Sequence, residues 1–314
     1  MGSPDPSRST MLRRRFEREM RKRFRDVRRE NVVAIITQDV LGLVPGKLTT
    51  FNVEKQAWRF QTDSQKVQSY RSWLQGQIDD KILTVEGAKG TPWTSKYIQS
   101  AHRKGVVRAY TDATRASRRK GPAFFEGSKA EFLRSAFAQP EMAGKVELLG
   151  TRAFHLLEGV TQAMSTDMSR FLAEGLARGD NPRTIARRMS SQIDSLTKKR
   201  ALVIARTEVI HAHAEGQLDS FEALGETEVG VFAEWSTAGD DRVCPLCGSL
   251  EGVVMTIKEA RGLLPRHPNC RCAYVPALDA EEQARRREAL SKIAASLKAE
   301  GGAAKSTWAG KEVL

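Results

Sequence analysis

The four cysteines of this 314-residue chain all lie within residues 235–276, as two close pairs. Cys244 and Cys247 form a Cys-x-x-Cys turn, and Cys270 and Cys272 stand two residues apart. A Cys-x-x-Cys turn can present two thiolates to one ion, and two close cysteine pairs are a common zinc pattern. The spacing therefore predicts a module held together by a structural metal ion, with Zn²⁺ as the expected cofactor.

His267 adds a fifth candidate donor, whereas a structural zinc ion takes four. If Cys270 and Cys272 lie on an extended segment, their side chains point the same way and both reach the ion beside the first pair. If Pro268 turns the chain instead, His267 and Cys270 converge and Cys272 stays outside the coordination sphere. The predicted ligands are the four cysteines, with His267 as the alternative fourth ligand.

The same four cysteines could also form a redox-active pair, a disulfide, or buried thiols without a ligand role. Two close pairs with no cysteine elsewhere in the chain favour a metal over these. We find neither an apolar signal segment nor an apolar run of bilayer-spanning length, so we expect synthesis in a reducing cytoplasm and no membrane anchor.

The chain carries 51 Lys and Arg residues against 38 Asp and Glu residues, a formal net charge of +13. Such a charge attracts polyanions, and nucleic acid is the expected one. A mixed-charge surface that only confers solubility is the alternative. The hydrophobic content of 40% suffices for a packed core, which excludes a wholly disordered chain.

A dense basic block follows a Pro- and Ser-rich stretch at residues 1–10, which we expect to be disordered. Residues 11–30 repeat apolar side chains at three- and four-residue steps from Phe16 to Val27, which predicts a basic amphipathic helix. Its cationic face either contacts DNA or an acidic partner, or is simply solvated. Together with the basic end of a later helix, the candidate contacts are Arg13, Arg14, Arg15, Arg21, Lys22, Arg23, Arg118, Arg119 and Lys120.

The middle of the chain predicts helices at residues 64–83 and 94–119, with a loop between them, and a steadily helical pattern over residues 128–224. Within that pattern, Asn181 followed by Pro182 is a helix N-cap with proline at the first helical position. The period then changes to strand-like alternation at 229–235, with short strands at 252–256 and 272–275 and a capping box opening at Thr256. The fold class is therefore α+β and mainly α-helical, an elongated helical body with a small C-terminal β-rich zinc knuckle.

Several charged residues near the cysteines are expected to hold the module in place. Arg206 and Glu208 can form a buried pair that fixes a helix against it, whereas an enzyme would use Glu208 as a general base with a histidine. His211 and His213 are two apart, so they diverge on a helix and do not form a zinc-protease pair. A carboxylate of Asp240-Asp241 can bind turn amides or Arg271. The predicted structural set is Arg206, Glu208, Trp235, Asp241, Arg242 and Arg271.

A series of short motifs occurs here in a familiar order, and together they are more specific than any one of them. They are Ala205-Arg206-Thr207-Glu208, Gly216, Trp235, Asp240 or Asp241 before Arg242-Val-Cys244-Pro-x-Cys247, Leu250-x-Gly252, and His267-Pro-Asn-Cys270-Arg-Cys272. Over about residues 130–278 the chain resembles the Mu F-like head morphogenesis domain of tailed bacteriophages.

The resemblance implies a minor head protein of the virion, present in few copies near the portal vertex. It would act in head assembly, DNA packaging or DNA ejection, with the portal protein, the major capsid or scaffold protein and packaged double-stranded DNA as partners. The family is not known for catalysis, so no catalytic residue is expected. The alternatives are a DNA-binding adaptor outside the virion and a metal-dependent nuclease of the His-Asn-His type, which would have to use His267 and Asn269.

The motifs and the changes of pattern predict a linear division of the chain. The four parts are a disordered N terminus (1–10), a basic helical region (11–125), the Mu F-like domain (126–278, with helices at 128–224 and the metal module at 229–276), and a charged helix with a flexible tail (279–314).

Overall fold

The protein is mainly helical, with a small three-stranded sheet close to the cysteines, which confirms the predicted α+β, mainly α-helical class. The computed structural model describes residues 5–41, 63–88, 90–120, 127–138, 140–224 and 231–277. The predicted charged helix and tail at 279–314 and the boundary near residue 125 lie outside the described residues. Among the described residues, no helix combines the length and apolar character that crossing a membrane requires.

The helices and strands follow the predicted order. The α-helices of the described residues are α1 Thr10–Val32, α2 Asp63–Lys81, α3 Ser95–Lys120, α4 Lys129–Ala138, α5 Pro140–Ala177, α6 Pro182–Leu196, α7 Leu202–Ala223, α8 Pro245–Gly248 and α9 Ile257–Ala260. The strands are β1 Val85–Glu86, β2 Thr91–Pro92, β3 Phe232–Ser236, β4 Val254–Met255 and β5 Ala273–Ala277. Five-residue π-helical turns follow α1 at Val33–Thr37 and precede α7 at Thr197–Ala201.

The described residues belong to two compact units, and neither is continuous along the chain. The first unit draws on Met1–Arg15, Thr94–Thr151 and Arg206–Leu314, and the second on Phe16–Trp93 and Arg152–Ala205. The division predicted from the sequence consists of consecutive segments, whereas each of these units combines separate segments. The predicted segment boundaries stay a prediction.

In the second unit, the amphipathic pattern of α1 determines which face is buried. Phe16, Met20, Phe24 and Val27 are all at most 1% exposed, and the Phe16 ring packs edge-on against Trp93 at 5.6 Å between centroids. Burying four large apolar side chains supplies the hydrophobic free energy that holds this helix, whose sequence alone is strongly charged.

The second unit contains a capped helix and a short hairpin, of which the sequence predicted the cap but not the hairpin. The side chain of Asn181 accepts a hydrogen bond from the backbone N–H of Thr184 (2.9 Å), with Pro182 at the first helical position, so the predicted cap of α6 is confirmed. The expected loop between α2 and α3 instead contains the β1–β2 hairpin, with Gly87 and Gly90 at positive φ in its turn. Only glycine adopts these backbone angles at little cost.

In the first unit, the N-terminal residues are folded rather than loose, which corrects the expectation for residues 5–10. Asp5 Oδ2 accepts hydrogen bonds from the backbone N–H and the hydroxyl of Thr10, and Arg13 pairs with Asp5 at 3.1 Å. Ser7 and Ser9 are buried and bonded to each other. A Pro- and Ser-rich composition suggested disorder, but these side chains cap the start of α1. For residues 1–4, which are not described, disorder stays a prediction.

Helices α3 and α7 of the first unit cross at very short range. An added Cβ at Gly105 would lie 2.0 Å from the carbonyl oxygen of His213, and one at Gly216 would lie 2.2 Å from the carbonyl oxygen of His102. No side chain fits at either position, because backbone atoms occupy the space on both sides. Each helix thus supplies a glycine where the other's backbone passes.

A buried ionic cluster lies beside this crossing, centred on Asp219 of α7. Asp219 Oδ2 is 2.7 Å from His102 Nε2, and Asp219 Oδ1 accepts from Lys145 (2.5 Å) and Arg261 (2.8 Å). Arg261 also bonds Glu215 at 3.0 Å, so one cation from α5 and one from the end of α9 are tied to the same helix. Burial by itself raises the pKa of Asp219, but the hydrogen bonds from His102 and Lys145 outweigh it and lower that pKa to about 2.

This lowered pKa predicts a pH dependence of stability. A carboxylate whose pKa is lower in the folded state stabilises the fold above its unfolded pKa near 3.8 and loses that contribution as the pH falls from about 4 to about 2. We expect Asp219→Asn to lower the free energy of unfolding at pH 7 by on the order of 2 kcal/mol, and this difference from wild type to become smaller by pH 2. Urea unfolding at several pH values measures the difference, with Asp80→Asn at an exposed carboxylate as control. A difference that does not change with pH would contradict the expectation.

The sheet of the first unit has the order β4-β3-β5 and is antiparallel throughout. Trp235 of β3 is fully buried and packs edge-on against Tyr274 of β5, at 6.0 Å between ring centroids. Gln217 of α7 bonds both the N–H and the carbonyl of Tyr274, at 3.1 and 2.6 Å. The strand that follows the second cysteine pair is therefore fixed to α7 through its backbone.

Candidate metal centre

Local sequence forms the turn that carries the first cysteine pair. Cys244 precedes the single-turn helix α8, with Pro245 at its first position, and the N–H groups of Cys247 and Gly248 bond the Cys244 carbonyl at 3.0 and 2.9 Å. A proline that presets φ and a tight turn place the two sulfurs on the same side of the chain. After β4, Thr256 and Glu259 form the predicted capping box of α9, which is confirmed.

All five predicted donors meet at one place, as two overlapping groups that share Cys247. One group is Cys244, Cys247 and His267, and the other is Cys247, Cys270 and Cys272; within each group the ligand atoms lie within 4.8 Å of one another. His267 Nε2 is 3.2 Å from both Cys244 Sγ and Cys247 Sγ. The three cysteines of the second group are buried, whereas Cys244 and His267 are partly exposed at the rim.

The hydrogen bond on the far side of the His267 ring fixes which nitrogen faces the sulfurs. Nδ1 lies 2.9 Å from the carbonyl oxygen of Pro268, and a carbonyl can only accept, so Nδ1 carries a proton and donates it there. In the neutral ring, Nε2 then presents its lone pair to Cys244 and Cys247. A backbone carbonyl that orients a histidine in this way is the usual support of a metal ligand.

The sulfur distances fit a metal better than a disulfide. Cys247 Sγ and Cys270 Sγ are 3.8 Å apart, and all four cysteines are free. Two thiolates on a tetrahedral zinc ion, each about 2.3 Å from it, stand about 3.8 Å apart, whereas a disulfide needs about 2.05 Å. The cluster of cysteines and His267 can therefore hold a metal ion.

The closeness of the sulfurs also favours a cation in the cluster. The hydrogen bond from Cys247 holds the pKa of Cys270 below its usual range, and the same bond raises the pKa of Cys247. One thiolate is thus stabilised by a neighbouring thiol, and a second negative charge at this distance would be repelled. A bound dication would allow several sulfurs to ionise together.

The loop between the two halves of the cluster is held against α7. The backbone N–H of Asn269 donates to Thr207 Oγ1 (3.2 Å), and Arg206 approaches Asn269 Oδ1 at 3.4 Å. Asn269 has φ of 63°, which asparagine tolerates better than most residues. The contact of Thr207 with this loop was not foreseen from the sequence. The predicted Arg206–Glu208 pair stays a prediction, and Glu208 has His211 as a neighbour at 3.9 Å.

Residues 166–275 match the family described as Phage Mu protein F like protein. This segment is a Mu F-like domain. The match runs from the middle of α5 to β5, so it includes the helices α6 and α7, the strands β3 and β4, and every donor of the cluster. Comparison with curated proteins and with solved structures gave no match.

Within the Mu F-like domain, the carboxylate that pairs with Arg271 is Asp240. From the sequence, Asp241 was named among the residues expected to hold the module in place. Arg271 donates two hydrogen bonds to Asp240, at 2.6 and 2.7 Å. Asp240 also accepts from the backbone and side chain of Arg242, at 3.2 and 3.3 Å. The hydrogen bonds from Arg271 contribute most to holding the pKa of Asp240 below its usual range. The pair ties the chain before Cys244 to the residue between the second cysteine pair.

The basic residues N-terminal to the Mu F-like domain divide into engaged and exposed ones. Arg13 is bound to Asp5, and Arg23 donates to Lys81 O (2.7 Å) and Thr84 Oγ1 (2.8 Å) while its guanidinium covers Trp93. These two predicted contact residues are therefore committed to the fold. Four others, Arg14, Arg15, Arg21 and Lys22, are exposed, and the side chains of Arg118, Arg119 and Lys120 lie outside the described residues.

Proposed function

We propose that this protein is a minor head protein of a tailed phage that acts at the portal vertex in head assembly, DNA packaging or DNA ejection. The observation that carries the proposal is the Mu F-like domain at residues 166–275, whose family implies a phage head morphogenesis protein. In this account the protein is made in the host cytoplasm and becomes part of the virion head. Its proposed partners are the portal protein, the major capsid or scaffold protein, and packaged double-stranded DNA.

The metal that we propose for the cluster is zinc, bound by Cys244, Cys247, His267 and Cys270. His267 Nε2 lies 3.2 Å from the sulfurs of both Cys244 and Cys247. The sulfur of Cys270 lies 3.8 Å from that of Cys247, the separation expected for two sulfur ligands of one tetrahedral zinc ion. When bound, zinc would supply a crosslink and no chemistry of its own. It would join the turn after β3 to the loop before β5, two segments that the Asp240–Arg271 pair also connects.

This ligand set favours the alternative in which Pro268 turns the chain, and it leaves Cys272 outside the coordination sphere. Cys272 is buried beside the indole of Trp235, whose N–H has no oxygen or nitrogen partner among the described residues. The indole N–H can donate to the Cys272 sulfur, and this contact would account for Cys272 without a bond to the metal. A set of four cysteines is the competing proposal, and it would leave the orientation of the His267 ring unexplained.

We propose no catalytic role, in keeping with a family of structural phage head proteins. A His-Asn-His nuclease would need His267, Asn269 and an acidic residue free for a catalytic metal. Instead, both nitrogens of His267 are engaged, Asn269 contacts Arg206 and Thr207, and Asp240 is paired with Arg271. These contacts favour a structural and interaction role over nucleolytic cleavage.

The particle itself provides the test of this proposal. We expect quantitative mass spectrometry of purified heads from the encoding phage to find the protein in few copies per particle, and crosslinking to join it to the portal protein. Disruption of its gene should lower the yield of infectious particles while the major capsid protein is still made. A protein absent from purified heads, or one that crosslinks only to unrelated host proteins, would overturn the proposal.

A further inference from the structure

The exposed face of α1 in the second unit is entirely cationic. Arg18, Arg21, Lys22 and Arg25 stand at the spacing i, i+3, i+4 and i+7, and all four are exposed. None of them forms an ion pair within the described part of the chain. We call these four residues the α1 stripe. Two of them, Arg18 and Arg25, were not among the contact residues predicted from the sequence.

The four carboxylates of the same helix, Glu17, Glu19, Asp26 and Glu30, are all partly buried rather than exposed. Glu19 pairs with Arg23 at 3.1 Å, and Asp26 and Glu30 lie near Arg29 at 3.8 and 3.3 Å. Residues three and four apart on a helix are neighbours, so the α1 stripe contains four like-charge pairs that destabilise the free helix. A sequence that only required solubility would mix the two signs on this face.

The charge and the composition of the α1 stripe both indicate that its binding partner is a polyanion. A protein partner is usually bound through apolar or aromatic side chains at the centre of the interface, and the α1 stripe has none. Its four cations span about 11 Å of helix axis, over which duplex DNA presents about six phosphates. Three of the four are arginines, whose guanidinium groups bind phosphate oxygens in pairs.

We infer that the α1 stripe binds the phosphate backbone of duplex DNA without reading its sequence. The inference rests on the proposed function only for the identity of that DNA as the packaged genome. Binding would neutralise the four like charges and release counterions from the DNA, so the interaction must weaken steeply as salt increases.

The test uses the full-length protein and a fluorescein-labelled 20-base-pair duplex of arbitrary sequence, with binding measured by anisotropy at several salt concentrations. The variant Arg18→Gln, Arg21→Gln, Lys22→Gln, Arg25→Gln should bind about tenfold more weakly or worse at low salt. The slope of log K against log salt should become shallower by about 3 to 4, because up to four phosphate contacts are lost. The melting temperature of the free variant should not fall, since like-charge repulsion is relieved.

A matched control removes the same charge from cations that are held in ion pairs. The variant Lys66→Gln, Arg170→Gln, Arg178→Gln, Arg188→Gln changes the net charge equally, lies outside α1, and each of these residues pairs with a carboxylate. It should keep most of the DNA affinity and slope. The inference would be overturned if both variants lost the same amount of DNA affinity, or if the stripe variant lost none.

A second probe separates DNA from an acidic protein partner. Labelled poly-glutamate should bind wild type more weakly than the duplex does. If the stripe variant loses poly-glutamate binding while keeping full DNA affinity, the stripe serves an acidic protein and the inference is wrong. Incorporation of the same variant into heads is scored separately, so a failed DNA contact in a normally incorporated protein would leave the proposed function standing.

Discussion

Replacing Gly216 with alanine is expected to prevent stable folding of the first unit. The added Cβ would lie 2.2 Å from the carbonyl oxygen of His102 and 2.9 Å from its carbonyl carbon, both backbone atoms of α3. A backbone contact cannot be relieved by rotating a side chain, so the two helices would have to separate and disturb the Asp219 cluster next to them. We expect a loss of about 3 kcal/mol or more, a large part of the stability of a typical domain. Gly105→Ala should behave in the same way.

The matched control is Gly159→Ala in α5. An added Cβ there meets nothing within 4 Å, and alanine is a better helix former than glycine. This variant should be about 0.5 to 1 kcal/mol more stable than wild type. Urea unfolding followed by far-ultraviolet circular dichroism measures both changes. If Gly216→Ala unfolds at the wild-type urea concentration, the close helix crossing is not a feature of the folded protein.

Removal of the metal should have the second large effect, confined to the module. Cys247 is the donor shared by both groups of the cluster, so Cys247→Ser should abolish metal binding and loosen residues 235–277. The helices of the second unit do not depend on these donors, so most of the helical circular dichroism should remain. We expect hydrogen exchange by mass spectrometry to show faster exchange in β3, β4 and β5, and the same change in wild type treated with a chelator.

The control for this change is Leu246→Ser in the same turn. Leu246 is half exposed and supplies no donor, so its replacement alters the turn without touching the cluster. Exchange in the three strands should then match that of wild type. Wild-type exchange rates in Cys247→Ser would mean that hydrophobic packing alone holds the module.

Features encoded by neighbouring residues were predictable from the sequence. The cap at Asn181, the capping box at Thr256 and the buried face of α1 depend on residues within one or two helical turns, so their pattern is visible without a fold. The five donors were likewise visible, because two close cysteine pairs and a nearby histidine are rare by chance.

Features that depend on long-range contacts were not predictable in the same way. The choice of Asp240 over Asp241 follows from the position of Arg271, which is set by the fold of the loop. Arg23 looked like a surface cation but covers Trp93, 70 residues further along. Gly216 was visible as part of a motif, yet only the approach of α3 shows why a side chain cannot replace its hydrogen. Asp219 gave no signal, since its partners come from three distant segments.

The most direct test of the metal-centred account is native mass spectrometry of the full-length protein, with and without a chelator, for wild type, Cys272→Ser and His267→Ala. We expect one zinc ion per wild-type chain, retained in Cys272→Ser, lost or greatly weakened in His267→Ala, and removed by the chelator with a fall in stability. A wild-type protein that is metal-free and equally stable would contradict it. Zinc kept by His267→Ala but lost from Cys272→Ser would instead establish the four-cysteine site.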